Sequence, residues 1–158
     1  MKGGFKSRLD YVESILSENS YMSLATVDNE CKPWSSVVFY AYDEKNVIYF
    51  ISAIDSRHAI NMRSNKNVSA IIYDSHQKIG MTEEIKIVGT AELVEETELK
   101  KAVKIYSDRI KSKSSGESID TDYQIDSYTG AAEFRFFKIK IENLYVNEDG
   151  RSVDVDLG

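Results

Sequence analysis

The residues with the most chemistry within reach of one another lie between positions 52 and 61. A β-rich run, Val47-Ile48-Tyr49-Phe50-Ile51-Ser52, ends in a serine, and Asp55-Ser56-Arg57-His58 opens a helical segment directly after it. A helix start presents unpaired backbone N–H groups and the positive end of the helix dipole, and the Ser56 hydroxyl, Arg57 guanidinium and His58 imidazole add side-chain donors. That combination suits a phosphomonoester. Ser and Asp also cap ordinary helices, so spacing alone leaves a plain capped helix as the alternative.

Other chemistries find little support. The chain contains no Gly-x-x-x-x-Gly-Lys phosphate loop, Gly-x-Gly-x-x-Gly fingerprint, Gly-x-Ser-x-Gly elbow or His-Glu-x-x-His helix, which argues against nucleotide-kinase and hydrolase readings. Cys31 is the single cysteine, and the two histidines, His58 and His76, stand 18 positions apart, a spacing that matches no metal motif. Cys31 lies in Asp28-Asn29-Glu30-Cys31-Lys32-Pro33, a turn whose acidic residues disfavour a thiolate. Twenty Lys and Arg against 26 Asp and Glu give a net charge of −6, which excludes a generic basic nucleic-acid binder. The longest purely apolar run, positions 37–42, is six residues, far short of the roughly 20 that span a bilayer. No membrane contact is expected, and the cytoplasm is the expected compartment.

The elements that must position the 52–61 segment follow from periodicity. A chain of 158 residues reads as one domain, able to bury about 68–70% of its unfolded surface. Residues 5–20 place Leu9, Val12, Ile15 and Leu16 on one helical face. Strands are expected over 21–27, 34–42 and 47–52, a short helix to Ser64, then strands over 68–74, 85–94 and 131–146. Gly89 inside a strand marks a bulge or a close backbone approach. Residues 95–113 form a second long helix with acids first and bases last, as the dipole favours, and 114–128 reads as a polar, mobile stretch. The fold class expected is mainly β (α+β): a six-stranded antiparallel barrel with peripheral helices over residues 1–146, followed by an acidic tail, 147–158, expected to fray. Tyr40 and Tyr42 share a strand face and read as core or dimer contacts. Trp34 reads as a rim anchor beside Pro33, and His76 as a solvated loop residue. Arg135, inside an aromatic strand, requires either a carboxylate partner or an anionic ligand.

The order of these pieces resembles the pyridoxamine 5′-phosphate oxidase-like split β-barrels that bind flavin mononucleotide (FMN). The resemblance rests on Met22-Ser23-Leu24-Ala25-Thr26-Val27, on the run from Lys32 through Asp43, on Val47-Ile48-Tyr49-Phe50-Ile51-Ser52, on Ser56-Arg57-His58-Ala59-Ile60-Asn61-Met62, on Asn67-Val68-Ser69-Ala70 and on Val88-Gly89-Thr90-Ala91-Glu92-Leu93. It implies a Greek-key split barrel that pairs as a homodimer with FMN in clefts between the subunits. It further implies that Ser35, Ser36, Val37, Val38 and Tyr40 run along the flavin, that Ile51 and Ser52 lie near the ribityl chain and phosphate, and that Ser56, Arg57 and His58 grip the phosphate. Family members usually carry Lys where His58 stands, and Glu84 replaces a Gln that often faces the ring. The Trp and Arg-x-His pair of true pyridoxamine-phosphate oxidases have no counterpart in Glu133-Phe134-Arg135-Phe136-Phe137-Lys138, which argues against oxidation of vitamin B6. The function implied is an FMN-dependent oxidoreductase or flavin reductase with an NADH or NADPH donor. The alternatives are a flavin carrier or sensor without turnover, and a barrel that binds another anionic or planar ligand.

Overall fold

Alternating apolar residues build one curled antiparallel sheet, and among the described residues three α-helices pack against it. The structure is a computed structural model, and it describes residues 6–80, 83–114 and 123–157. Helix α1 (Arg8–Glu18) is capped by Ser7, whose hydroxyl accepts from Asp10 N–H, and it buries Tyr11, Val12, Ile15 and Leu16. Leu9, expected on that face, is exposed, and Tyr11 takes its place. Strand β1 (Tyr21–Val27) turns Met22, Leu24 and Thr26 inward, and β2 (Pro33–Phe39) pairs with it from Val27 opposite Pro33 to Tyr21 opposite Phe39.

The strand expected over 34–42 is broken at Tyr40. There the Tyr40 N–H bonds the Ser20 carbonyl, and the two residues that follow, β3 (Ala41–Tyr42), pair with β4 (Val47–Ala53) instead of β1. One continuous piece of chain therefore serves both edges of the sheet. Helix α2 (Arg57–Ser64), β5 (Asn67–Tyr73), β6 (Glu84–Leu93), α3 (Glu96–Lys113) and β7 (Phe134–Glu148) complete the expected set, and a 3-10 turn (Ile125–Tyr128) stands at the end of the stretch expected to be mobile. The order across the sheet is β2-β1-β5-β6-β7-β4-β3. Most of the stretch expected to be a mobile loop, residues 115–122, lies outside the described residues.

Gly89 behaves as its position in a strand suggests. The β6–β7 register shifts between Val88 and Gly89, and a Cβ at Gly89 would collide with the Lys140 carbonyl oxygen. The C-terminal segment corrects the expectation of fraying. β7 runs past Val146 to Glu148, turns, and pairs with an additional strand, β8 (Arg151–Asp154), while Val155 is buried with the main core. The division at Tyr40 and this added strand turn six expected strands into eight.

The core has two parts. The barrel interior holds Met22, Leu24, Ile48, Phe50, Ile72, Ile85, Ile87 and Phe137, with Phe50 and Phe137 stacked at 5.5 Å. A second cluster under α3 joins Tyr49, Leu99, Ala102, Tyr106 and Phe136. Lys138, buried beside that cluster, is neutralised by Glu92 and Glu98. At the last turn of α1 the carbonyls of Leu16 and Asn19 accept from both Arg109 and the Tyr40 hydroxyl, so α3 caps α1.

Candidate functional site

Because β3, not β2, pairs with β4, a gap opens between β2 and β4 on the side away from Tyr40. Helix α2 lies over that gap. Ser56 caps it, accepting from the Ala59 N–H, and Asn61 anchors it to β1 through a bond from Nδ2 to Thr26 Oγ1 of 3.0 Å, with both residues buried. These two contacts fix the helix start, and with it the direction of His58.

The His58 imidazole spans the gap. Its Nδ1 lies 3.1 Å from Ser36 Oγ on β2 and its Nε2 lies 2.6 Å from Ser52 Oγ on β4. Ser56 Oγ is 3.1 Å from Ser52 Oγ and 3.3 Å from Nε2. The Trp34 indole N–H, a donor only, bonds Ser36 Oγ at 3.0 Å. With a neutral ring, one assignment of protons satisfies the chain: Trp34 donates to Ser36, Ser36 to Nδ1, Nε2–H to Ser52, and Ser52 to Ser56. The Ser56 hydroxyl proton is then left to point outward. Burial holds the His58 pKa below its ordinary value, which keeps the ring neutral at pH 7.

Arg57 stands on the rim. Its guanidinium lies 4.8 Å above the Trp34 ring and 3.4 Å from Asp28 Oδ2, in the turn joining β1 to β2. Asp28 is held below its ordinary carboxylate value, chiefly by the Lys32 N–H, with Lys32 and Arg57 adding charge.

Of the residues expected at the site, Ser36, Ser52, Ser56, Arg57 and His58 are thus brought together. Ser35 and Val37 point to the outer face of β2, where Val37 is 72% exposed. Val38 and Tyr40 are buried in the barrel core, and the Tyr40 hydroxyl is committed to the end of α1. Ile51 packs against the cluster under α3. Glu84, at the far end of β6, bonds Tyr11 through its N–H and pairs with Lys86 at 2.6 Å. His76 is an exposed loop residue beside Asp74, as expected, and Cys31 is an exposed turn residue with φ +60°. Asp28, Thr26 and Asn61 are additions that residue types alone did not single out. A polar Asn between Ala59 and Met62 on the buried side of α2 is the one signal that marks them.

An antiparallel barrel split between two strands, with a capped helix start laid over the split, defines a split β-barrel with a polar cradle at its mouth. The chain matches the pyridoxamine 5′-phosphate oxidase family over residues 9–148 and belongs to it. No curated protein matches it. Among solved structures, it is similar to a heme-binding protein from Mycobacterium smegmatis at 17% identity and TM-score 0.73, covering 98% of this chain and 60% of that one. The chain therefore spans somewhat over half the length of that protein. It is also similar to the heme storage protein HutZ from Vibrio cholerae, at 21% identity and TM-score 0.64, covering 85% and 91% of the two chains. An FAD-binding protein from Mesorhizobium loti matches at 20% identity and TM-score 0.62, covering 87% and 91%. At these identities the likeness is one of fold. Among the described residues no helix is long and apolar enough to cross a membrane, and no cluster of His, Cys, Asp and Glu could hold a metal ion.

Proposed function

We propose that this protein binds FMN, with the flavin phosphate at the start of α2. The observation that carries the reading is the convergence of Ser52, Ser56 and His58 within 3.3 Å of one another at a helix N-terminus, with Arg57 beside them. These residues fit a phosphomonoester. In the proton assignment above the Ser56 hydroxyl is free to donate to an anion at the start of α2, and Arg57, stacked on Trp34, is otherwise engaged by an exposed pair with Asp28. Ser36 and the backbone of residues 35–38 would then lie along the flavin. FMN supplies the electron-transfer chemistry, and the chain supplies binding, orientation and electrostatics.

The family and the solved flavoprotein of the same fold support this reading, and a homodimer belongs to it. The outer face of β1, β2 and β5 aligns Val37, Ser23 and Ile71 in one row, with Tyr21 and Tyr73 nearby. Tyr21, Val37 and Tyr73 are 60%, 72% and 49% exposed, an apolar surface suited to a second copy. In this reading the protein is a cytoplasmic flavin-dependent oxidoreductase or flavin reductase that draws on NADH or NADPH.

The test is the visible absorption spectrum of the purified protein before and after addition of FMN and desalting. About one FMN retained per chain supports the reading, and R57A should then release it. A protein that holds no flavin, or that holds heme in its place, sinks it.

A further inference from the structure

Arg135 stands directly opposite Ser52 in the β4–β7 ladder. Residues paired in this way project from the same face of a sheet, with Cβ atoms about 4.5–5.5 Å apart. On that face, two positions further along the strands, Phe50 and Phe137 stack inside the barrel. Arg135 and Ser52 therefore form the next layer outward, at the mouth of the barrel where His58 bonds Ser52.

An arginine flanked by Phe134, Phe136 and Phe137 needs a partner. Among the described residues it donates from Nη1 to the Gly130 carbonyl oxygen at 2.9 Å and pairs with no carboxylate. Nearby cations are treated differently: Lys138 and Lys140 of the same strand are neutralised by Glu92, and Arg57 meets Asp28. A guanidinium has five N–H donors in a planar fork. Most of that capacity, and the whole of its charge, is left unmatched among the described residues, on a side chain that starts from the strand position opposite Ser52.

We propose that Arg135 is the second guanidinium of the anion cradle, approaching the phosphate from β7 while Arg57 and the Ser56 hydroxyl approach from α2. His58 and Ser52 lie behind them and hold Ser56 in place. The inference rests on the phosphate reading above and adds to it a residue on another strand. Two flanking guanidinia suit a dianionic phosphomonoester, so the cradle distinguishes FMN from riboflavin, which carries the same ring and no phosphate.

Titration of riboflavin and FMN into wild type, R57Q and R135Q, read by flavin fluorescence, tests this. Loss of one charge-assisted contact predicts that R135Q binds FMN about tenfold more weakly or worse, with riboflavin affinity unchanged. If R57Q loses FMN affinity and R135Q keeps it, the cradle stands without Arg135 and the proposal falls. An equal loss for both flavins in R135Q makes Arg135 a structural residue and also overturns it. A wild type that binds FMN no better than riboflavin removes the phosphate reading itself. Should R135Q fail to fold, R135K decides, because a lysine keeps the charge but not the fork. Weaker FMN binding with riboflavin affinity intact supports the proposal, and wild-type FMN affinity defeats it.

Discussion

Ser36 and Ser52 sit on strands that do not pair, yet a single imidazole joins their hydroxyls, at 3.1 Å through Nδ1 and 2.6 Å through Nε2 of His58. The ring therefore acts as a rung where the backbone ladder has none. It also means that the residue standing in place of the family's lysine is a neutral connector, not a fixed charge.

This connection should depend on pH. The unfolded chain takes up a proton at His58 near pH 6.5, whereas burial holds the folded value lower. As pH falls the unfolded state is protonated first, so the contribution of His58 is complete above about pH 6.5 and is lost as pH drops through the folded value. Urea midpoints measured between about pH 7.5 and 5 should fall more steeply for wild type than for H58Q. Parallel curves would show that the ring is not held neutral by its surroundings.

Asp28 competes with any anion for Arg57. In D28N the guanidinium loses its carboxylate partner at 3.4 Å, and FMN should bind up to a few-fold more tightly, the worth of an exposed ion pair. Trp34 lies under Arg57 and is the only tryptophan in the chain, so its emission should report the rearrangement directly. An unchanged dissociation constant together with unchanged emission would place the anion elsewhere.

Gly89 predicts a stability effect remote from the cradle. In G89A the new methyl group meets the Lys140 carbonyl at the bulge, and backbone cannot step aside as a flexible side chain can. The expected cost is about 1–3 kcal/mol, a drop in Tm of several degrees for a chain of this size. A Tm within a degree of wild type would show that the bulge can slide.

The exposed row on β2, β1 and β5 predicts the assembly state. In the homodimer proposed above, with flavin clefts between subunits, replacing Val37 and Ile71 by Glu should convert a dimer to a monomer by light scattering and weaken flavin binding in the same step. A double variant that remains dimeric would assign the interface to another face.

Much of this architecture is legible in the order of residues, and the places where it is not have physical causes. Strands 21–27 and 68–73 are plain because each alternates strictly between core and outside. The break at Tyr40 is hidden, because Tyr40-Ala41-Tyr42 continues the β-rich pattern, and what ends the strand is the Ser20 carbonyl and the end of α1, both distant in sequence. The pairing of residues 151–154 is masked by acids that surround Val153 and Val155. In the cradle, Ser56-Arg57-His58 can be read locally from helix-capping chemistry. The bond from His58 to Ser36 spans 22 positions and depends on a gap between strands that no local pattern announces. Glu84 shows the converse, since a residue aligned with a flavin contact makes its own contacts here with Tyr11 and Lys86.

The division of one strand between two partners at Tyr40 also has a mechanical meaning. The ring there is fully enclosed, its hydroxyl is bonded to α1, and Arg109 lies 5.6 Å above it. Tyr40 is thus the fixed point from which one strand serves both edges of the sheet, and His58 is the side-chain link that joins those edges at the other end of the gap, beside Trp34 and Arg57.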